Sequence, residues 1–181
     1  MLLLGSLGVD PWDVFHQGLS RQIGLGVGTW ALIVSAAVLL LWIPLRQWPG
    51  LGTVSNGILV GLIIDAMLAT FHTPHSLALR WLLMLGGVLL NGVATGAYIG
   101  AGLGPGPRDG LMMGWAARGH QIRVVRTCIE LTVFAVGWIL GGNVGVGTVI
   151  YALSIGPLAH FFVPYFALSG PGVPPAALEG H

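Results

Sequence analysis

The chain has 181 residues, of which 55% are hydrophobic and 7% charged, and its net charge is +1. A soluble domain carries about 25% charged residues, so this composition excludes a surface that faces water over most of its area. The low net charge also speaks against a nucleic-acid-binding protein, which needs a basic face. We therefore predict an all-α integral membrane protein whose main partner is the lipid bilayer.

Five apolar runs are long enough to cross a bilayer, because about 20 helical residues span roughly 30 Å of hydrocarbon. They cover residues 28–45, 51–71, 81–102, 124–140 and 146–166. Two shorter amphipathic stretches, residues 11–20 and 107–118, cannot cross and are predicted to be re-entrant or interfacial helices. The pattern predicts a polytopic fold with about five transmembrane helices and two short ones.

The sequence also contains an internal repeat. One set of residues recurs 96 positions later and a second set 95 positions later. The first set is Leu7, Gly8, Pro11, Asp13 and Gly18, recurring as Leu103, Gly104, Pro107, Asp109 and Gly114; the second is Gly50, Gly52, Thr53, Val54 and Gly61, recurring as Gly145, Gly147, Thr148, Val149 and Gly156. We predict a first repeat over residues 1–72, a linker over 73–80, a second repeat over 81–168 and a disordered tail over 169–181.

The two repeats are predicted to be inverted. A complete copy has three crossings, and an odd number turns the next copy over in the membrane, as in many transporters. The second copy begins with the apolar run 81–102, whereas only six residues precede Leu7 in the first. The first helix is therefore predicted to be truncated. Either the gene starts further upstream, or the protein works with five spans.

The placement of arginines predicts the orientation, since all seven basic residues are arginines. Arg21 and Arg80 fall on one side of the predicted spans. The opposite side carries five: Arg46, Arg108, Arg118, Arg123 and Arg126. The positive-inside rule makes this second side cytoplasmic, and the C-terminus is predicted to lie on it.

Glycine spacing predicts close contacts between helices. Gly92, Gly96 and Gly100 recur every four residues in the third predicted span, and Gly57 and Gly61 do so in the second. Glycines on one face let two helix backbones approach each other. We expect packing surfaces here rather than binding sites.

Ionisable residues within apolar helices are candidate site residues, because each costs about 2.5–3.5 kcal/mol at a helix centre. Asp65 lies in the second predicted span, and its repeat equivalent is His160. The pair is predicted to couple protons or ions where the two repeats meet. The alternative is a polar contact that fixes helix packing, or a group close enough to the interface to reach water.

A second candidate cluster lies in the fourth predicted span. Glu130 follows Arg126 by four residues, a spacing that allows an ion pair on one helix face. The cluster is interpreted either as part of a coupling or substrate site or as a pair that only lowers the cost of burial. Asn91, in the preceding span, is a weaker candidate for a cavity lining.

The repeated Pro-x-Asp element places Asp13 and Asp109 in the first turn of the two short helices. Proline and an acidic residue both suit a helix start, which is the favoured interpretation. The alternative is an anion site, because the N–H groups of a helix start are free and Arg108 lies beside Asp109. The first copy has Trp12 in place of Arg108.

No motif for catalysis or metal binding is found in the sequence. It contains no Gly-x-Ser-x-Gly, His-Glu-x-x-His or phosphate-binding-loop pattern. His72 and His75 share one predicted loop but have no third ligand nearby in the sequence. We predict no metal, no cofactor and no catalytic residue, and we do not expect an enzyme.

Four segments carry a resemblance to a known family. Residues 7–14, 106–112, 125–131 and 146–149 resemble the YczE-like family of bacterial integral membrane proteins, which is related to the YitT group. The resemblance implies a multi-pass protein of the bacterial plasma membrane, and some relatives are classed as small-molecule exporters. It supplies neither a substrate nor a set of binding residues.

Two functions follow from these features. The favoured one is a secondary transporter that exports a small organic molecule, coupled to protons through Asp65 or Glu130. The alternative is a membrane scaffold or regulatory partner protein that does not transport. The sequence leaves open the substrate, the direction of movement, the coupling ion and the formation of a homo-oligomer.

Overall fold

A computed structural model describes residues 1–101 and 104–166, with all side chains except those of residues 122, 123 and 160. The predicted tail, residues 169–181, lies outside this part of the chain. The described part is all-helical, as predicted. Its helices are α1 (Leu2–Gly5), α2 (Pro11–Ile23), α3 (Val27–Leu45), α4 (Leu51–Thr70), α5 (Leu77–Gly100), α6 (Pro107–Ala116), α7 (Ile122–Ile139) and α8 (Val146–Phe166).

Four of the described helices are long and apolar enough to cross a membrane: α3, α4, α5 and α8. They have 19 to 24 residues, and their outer faces expose large apolar side chains such as Ile43, Leu82 and Leu153. A surface of this kind is stable against lipid tails and not against water. The chain is therefore an all-α, polytopic membrane protein.

Helix α7 is the fifth predicted span. It has 18 residues, but Arg123, Arg126 and Glu130 make it less apolar than the other four long helices. Two of these side chains, Arg126 and Glu130, line a cavity and form an ion pair there. A total of five spans stays a prediction.

The short helices α2 and α6 start in the same way. Each has proline at its first position, where the missing N–H costs no hydrogen bond. The Asp10 side chain caps α2 by accepting a hydrogen bond from the backbone N–H of Asp13 at 2.6 Å, whereas Gly106 occupies the equivalent position of α6. With 13 and 10 residues, both helices are too short to cross the bilayer.

Each short helix packs against a long helix of the other repeat: α2 against α7 and α6 against α3. Between α6 and α3, the Trp42 indole N–H donates to the carbonyl oxygen of Pro107 at 3.0 Å. Gly110 leaves room for the Trp42 ring, which a Cβ atom there would overlap. These two helices build the hydrophobic core together with α2, through Trp12, Val38, Trp42, Leu45 and Leu111.

Equivalent residues of the two repeats make equivalent contacts. Gly18 lies against the Cβ atom of Leu140, and Gly114, 96 positions after Gly18, lies against that of Leu45, 95 positions before Leu140. Both contacts join a short helix of one repeat to a long helix of the other. These contacts pair positions that the recurring residues align, and the division of the chain into two repeats stays a prediction.

The loops that precede the short helices continue this pattern. Gly8 (φ +118°) contacts Gly145 and Thr148, at the start of α8, and Gly104 (φ +109°) contacts Gly50 and Thr53, at the start of α4. Both loop glycines need a backbone conformation that L side chains rarely adopt, and neither has space for a Cβ atom. This explains why glycine recurs at these two positions.

The predicted glycine surfaces are packing surfaces in the structure. Gly92 and Gly96 of α5 lie against Leu158 and Phe162 of α8, and Gly61 of α4 lies against α3. At its other end, α5 holds the short helix α1, because Arg80 donates to the carbonyl oxygens of Gly5 and Ser6, both at 2.8 Å. The glycine-rich faces thus fix the long helices around the short ones.

Candidate functional site

The N-terminal ends of α2 and α6 meet beside a cavity of about 320 Å³. Side chains from both repeats line it, including residues of α3, α4, α5, α7 and α8. Its polar lining comprises Asp10, Asp13, Ser35, Asn56, Asn91, Thr95, Tyr98, Arg108, Asp109, Arg126, Glu130 and Tyr151. A polar cavity surrounded by apolar helices is the arrangement expected of a binding site within a membrane.

Arg108 joins the two short helices at the cavity. Its Nη1 atom donates to the Asp10 Oδ2 atom at 3.2 Å, and its guanidinium lies 5.1 Å from the centre of the Trp12 ring. Trp12 and Arg108 occupy the same position of the repeat, 96 residues apart. The two copies therefore touch through equivalent positions, one aromatic and one cationic, a pair that attracts electrostatically.

Asp10 is the carboxyl group that sequence reasoning missed. Burial and the nearby Asp13 raise the pKa of Asp10 to about 7, although Arg108 acts in the opposite direction. The signal that could have found it is local, since Asp before Pro at the start of an amphipathic stretch is typical of a helix cap. Its contact with Arg108, 98 residues away, has no signal in the sequence.

His16 lies in the turn of α2 that follows Asp13. Its side chain is 1% exposed, and its Nδ1 atom lies 3.4 Å from Asp13 Oδ1, while its Nε2 atom has no hydrogen-bond partner within the described residues. Burial lowers the pKa of His16, and Arg108 adds to this effect, although Asp13 opposes it. At neutral pH the imidazole of His16 is therefore uncharged. It does not provide Asp13 with a cationic partner.

Three more pairs lie on the other walls of the cavity. Arg126 Nε donates to Glu130 Oε1 at 2.9 Å, which is the ion pair that their spacing predicts. The Tyr98 hydroxyl donates to Asp109. Across the α5–α8 contact, Asn91 Nδ2 donates to the Tyr151 hydroxyl oxygen at 2.8 Å.

The structure therefore brings most of the predicted site residues together. Those that line the cavity are Asp13, Asn91, Arg108, Asp109, Arg126 and Glu130. Asp109 and Asp13 also lie in the first turns of their helices, as predicted. The roles assigned to these residues stay predictions.

Asp65 has a different environment. Its carboxylate accepts hydrogen bonds from the backbone N–H of Gly28 and from the Thr29 hydroxyl, both at 2.7 Å. It therefore caps the N-terminal end of α3, where a negative charge is favourable. This contact matches the packing alternative for Asp65. The backbone of His160 lies in α8, but its side chain lies outside the described residues, so the predicted pairing with Asp65 has no test here.

No group of three or more His, Cys, Asp or Glu side chains in the described part of the chain is arranged to hold a metal ion. His72 and His75 lie exposed between α4 and α5.

Apolar helices around a polar cavity define a polytopic membrane protein, and comparison with known proteins places it in a family. Residues 1–164 match the model of DUF6198, described as a family of unknown function, and the chain belongs to this family. No solved structure matches the chain.

Three relatives are bacterial. The chain is 40% identical to an "Uncharacterized protein" of Haemophilus influenzae, over 92% of this chain and 77% of the relative. It is 35% identical to the "Uncharacterized membrane protein YczE" of Bacillus subtilis, over 88% and 75%, and 28% identical to the "Uncharacterized protein YyaS" of the same organism, over 91% and 84%. The resemblance to YczE is thus confirmed, and the protein is a bacterial membrane protein.

Proposed function

We propose that the protein is a secondary transporter, and not an enzyme, that exports a small organic molecule through the cavity between α2 and α6. The observation that carries this proposal is the cavity itself, which has polar lining residues from both predicted repeats. Transporters built from repeats place their substrate sites where the repeats meet, often at the ends of helices that do not cross the membrane.

The paired contacts support an inverted repeat, which the mechanism requires. In each pair a short helix or its preceding loop contacts a long helix of the other copy. Rocking one copy against the other would then open the cavity first to one side and then to the other. The glycine-rich contacts of Gly18 and Gly114 are the surfaces along which such a movement would occur.

Proton coupling is assigned to carboxylates of the cavity. Of the two residues predicted for this role, Glu130 lines the cavity and Asp65 caps α3. Glu130 is 30% exposed and its partner Arg126 is 42% exposed, and both line the cavity. A carboxylate in the cavity lining is in the right place to couple protons to a substrate.

The test is transport by the purified chain in proteoliposomes. A proton gradient is imposed, and the accumulation of radiolabelled amines, amino acids and organic acids is compared with that in empty liposomes. We expect gradient-driven accumulation of at least one compound class, reduced about tenfold or more in Glu130→Gln and retained in Asp65→Asn. Accumulation equal to that in empty liposomes for every class would contradict transport, and a stable complex with another membrane protein would then support the scaffold alternative.

A further inference from the structure

The cavity has an excess of negative charge. Among the described residues that line it, four carry carboxyl groups and two carry guanidinium groups. The carboxyl groups belong to Asp10, Asp13, Asp109 and Glu130, and the guanidinium groups belong to Arg108 and Arg126. The N-terminal ends of α2 and α6 each add about half a positive charge. When all four carboxyl groups are ionised, an excess of about one negative charge is left.

Both guanidinium groups already have carboxylate partners. Arg108 binds Asp10 at 3.2 Å, and Arg126 binds Glu130 at 2.9 Å. An anion that approached Arg108 would also meet the charges of Asp13 and Asp109, which both act on this guanidinium. The arrangement therefore disfavours an anionic ligand, although an isolated arginine at helix starts would favour one.

Two carboxylates lack a cationic partner in the described part of the chain. Asp109 accepts its hydrogen bond from the neutral Tyr98 hydroxyl, and Asp13 lies beside the neutral ring of His16. Trp12 and Tyr98 also line the cavity, and aromatic faces attract ammonium groups. The negative charge and the aromatic residues of the lining thus both favour a cationic ligand.

We propose that the cavity binds a small organic cation, such as a primary amine, with Asp13 and Asp109 as its counter-charges. The ligand's charge would offset the negative excess at membrane depth, where an unpaired carboxylate is costly. The proposal names the substrate class for the transport function proposed above and rests on that function only for movement across the membrane. Binding itself is a separate property and is measured separately.

Asp10 makes this binding sensitive to protons. It is the carboxyl group held between the two short helices, and its pKa of about 7 means that it is partly protonated at neutral pH. The ionisable groups that act on it are Asp13 of α2, Arg108 of α6 and Tyr151 of α8. Protonation of Asp10 removes the negative excess, so a proton and the cation compete for the cavity without sharing one atom.

The test is equilibrium binding by the purified full chain in detergent. The probes are phenethylammonium and 3-phenylpropionate, which are similar in size and opposite in charge. Affinities are read from the rise in melting temperature with probe concentration. We expect phenethylammonium to bind and 3-phenylpropionate not to bind.

Variants and pH locate the site. Asp109→Asn and Asp13→Asn should each weaken phenethylammonium binding about tenfold, whereas Asp65→Asn, which changes a carboxylate outside the cavity, should not. For the unmodified chain, affinity should rise about tenfold between about pH 6 and about pH 8, and this rise should vanish in Asp10→Asn. The comparison uses the probe-induced shift, so a variant with a lower starting melting temperature still gives a result.

Binding of 3-phenylpropionate in preference to phenethylammonium, or equal binding by all the variants, would overturn the proposal. An affinity that does not change with pH would overturn the part assigned to Asp10. Phenethylammonium binding without flux in proteoliposomes would contradict the transport function but not the cation site. Flux of organic acids alone would support transport and contradict the cation site.

Discussion

At the scale of single residues, the central feature is the contact between Trp12 and Arg108. Two copies with the same residue at this position would place two indole rings or two cations against each other. The difference between the copies instead gives an attractive pair and lets Arg108 hold Asp10 of the other short helix. The two copies thus differ at this position, whereas the glycines at their other contacts are the same in both.

Removal of the Arg108 charge tests this contact. In Arg108→Gln, Asp10 loses its ionic partner while it stays buried, so we expect a loss of about 1–3 kcal/mol in the free energy of unfolding. The measurement is denaturation in mixed micelles. Arg126→Gln is the control, since the Arg126–Glu130 pair is more exposed and should contribute less. Equal losses in the two variants would contradict the importance assigned to Arg108.

The site could be predicted from the sequence only where the signal is local. The four-residue spacing of Arg126 and Glu130 gave their pair, and Pro-x-Asp gave the helix starts with Asp13 and Asp109. The ion pair between Arg108 and Asp10 joins residues 98 positions apart. It depends on how α2 and α6 lie relative to each other, and no spacing in the sequence indicates that. Asp65 is an ionisable residue in an apolar span, as expected of a coupling group, but in the structure it accepts a hydrogen bond from the backbone N–H of Gly28 at the start of the preceding helix, α3.

At the scale of elements, the structure extends several predicted boundaries. Helix α5 starts at Leu77 and not at residue 81, and Arg80 in its first turn donates hydrogen bonds to the carbonyl oxygens of Gly5 and Ser6. Helix α2 continues to Ile23, where Gly24 in a left-handed conformation ends it. Apolar composition locates a span, but the ends depend on caps and contacts.

The contact between α6 and α3 gives a prediction about one glycine. In Gly110→Ala, the new methyl group would overlap the Trp42 ring, so we expect a loss of about 1–3 kcal/mol in the free energy of unfolding. Gly86→Ala is the matched control. A Cβ atom at Gly86 of α5 meets nothing within 4 Å, so alanine there should be neutral or stabilising, since it favours the helix. If Gly110→Ala were as stable as Gly86→Ala, the described packing of α6 would be wrong.

The prediction that α7 crosses the membrane has a direct test in Cys128, the single cysteine of the chain. Cys128 is exposed on the surface of α7, and in a spanning helix that surface would face lipid. We expect no labelling by a membrane-impermeant maleimide in intact membranes and full labelling after denaturation in SDS. The control is His72→Cys combined with Cys128→Ser, which places the thiol in an exposed loop and should label at once. Rapid labelling of Cys128 in intact membranes would contradict a fifth span.

At the scale of the whole molecule, the two predicted repeats contact each other through their short helices. Helix α2 packs against α7 and α6 packs against α3, and the cavity lies where the starts of α2 and α6 meet. The repeat was visible in the sequence because glycines such as Gly8 and Gly104 cannot be replaced at their contacts. The cavity was not visible, because it is formed by elements far apart in the chain.

The arginine distribution predicts that the C-terminus lies in the cytoplasm of the bacterial cell. Fusion of a fluorescent protein, which matures in the cytoplasm, to the C-terminus should give fluorescent cells. Fusion of alkaline phosphatase, which is active only outside the cytoplasm, should give cells without phosphatase activity. Phosphatase activity without fluorescence would contradict this orientation and place the C-terminus outside the cytoplasm.

The most direct test of the central claim is to fill the cavity and measure transport. Ala159→Trp places a large ring in the cavity wall of α8, whereas Leu153→Trp places the same ring on the outer face of the same helix, where residue 153 is 72% exposed. Uptake of a transported compound into proteoliposomes is then compared between the two folded variants. We expect Ala159→Trp to abolish uptake and Leu153→Trp to retain it. Equal uptake by both variants would mean that the cavity between α2 and α6 is not the transport route.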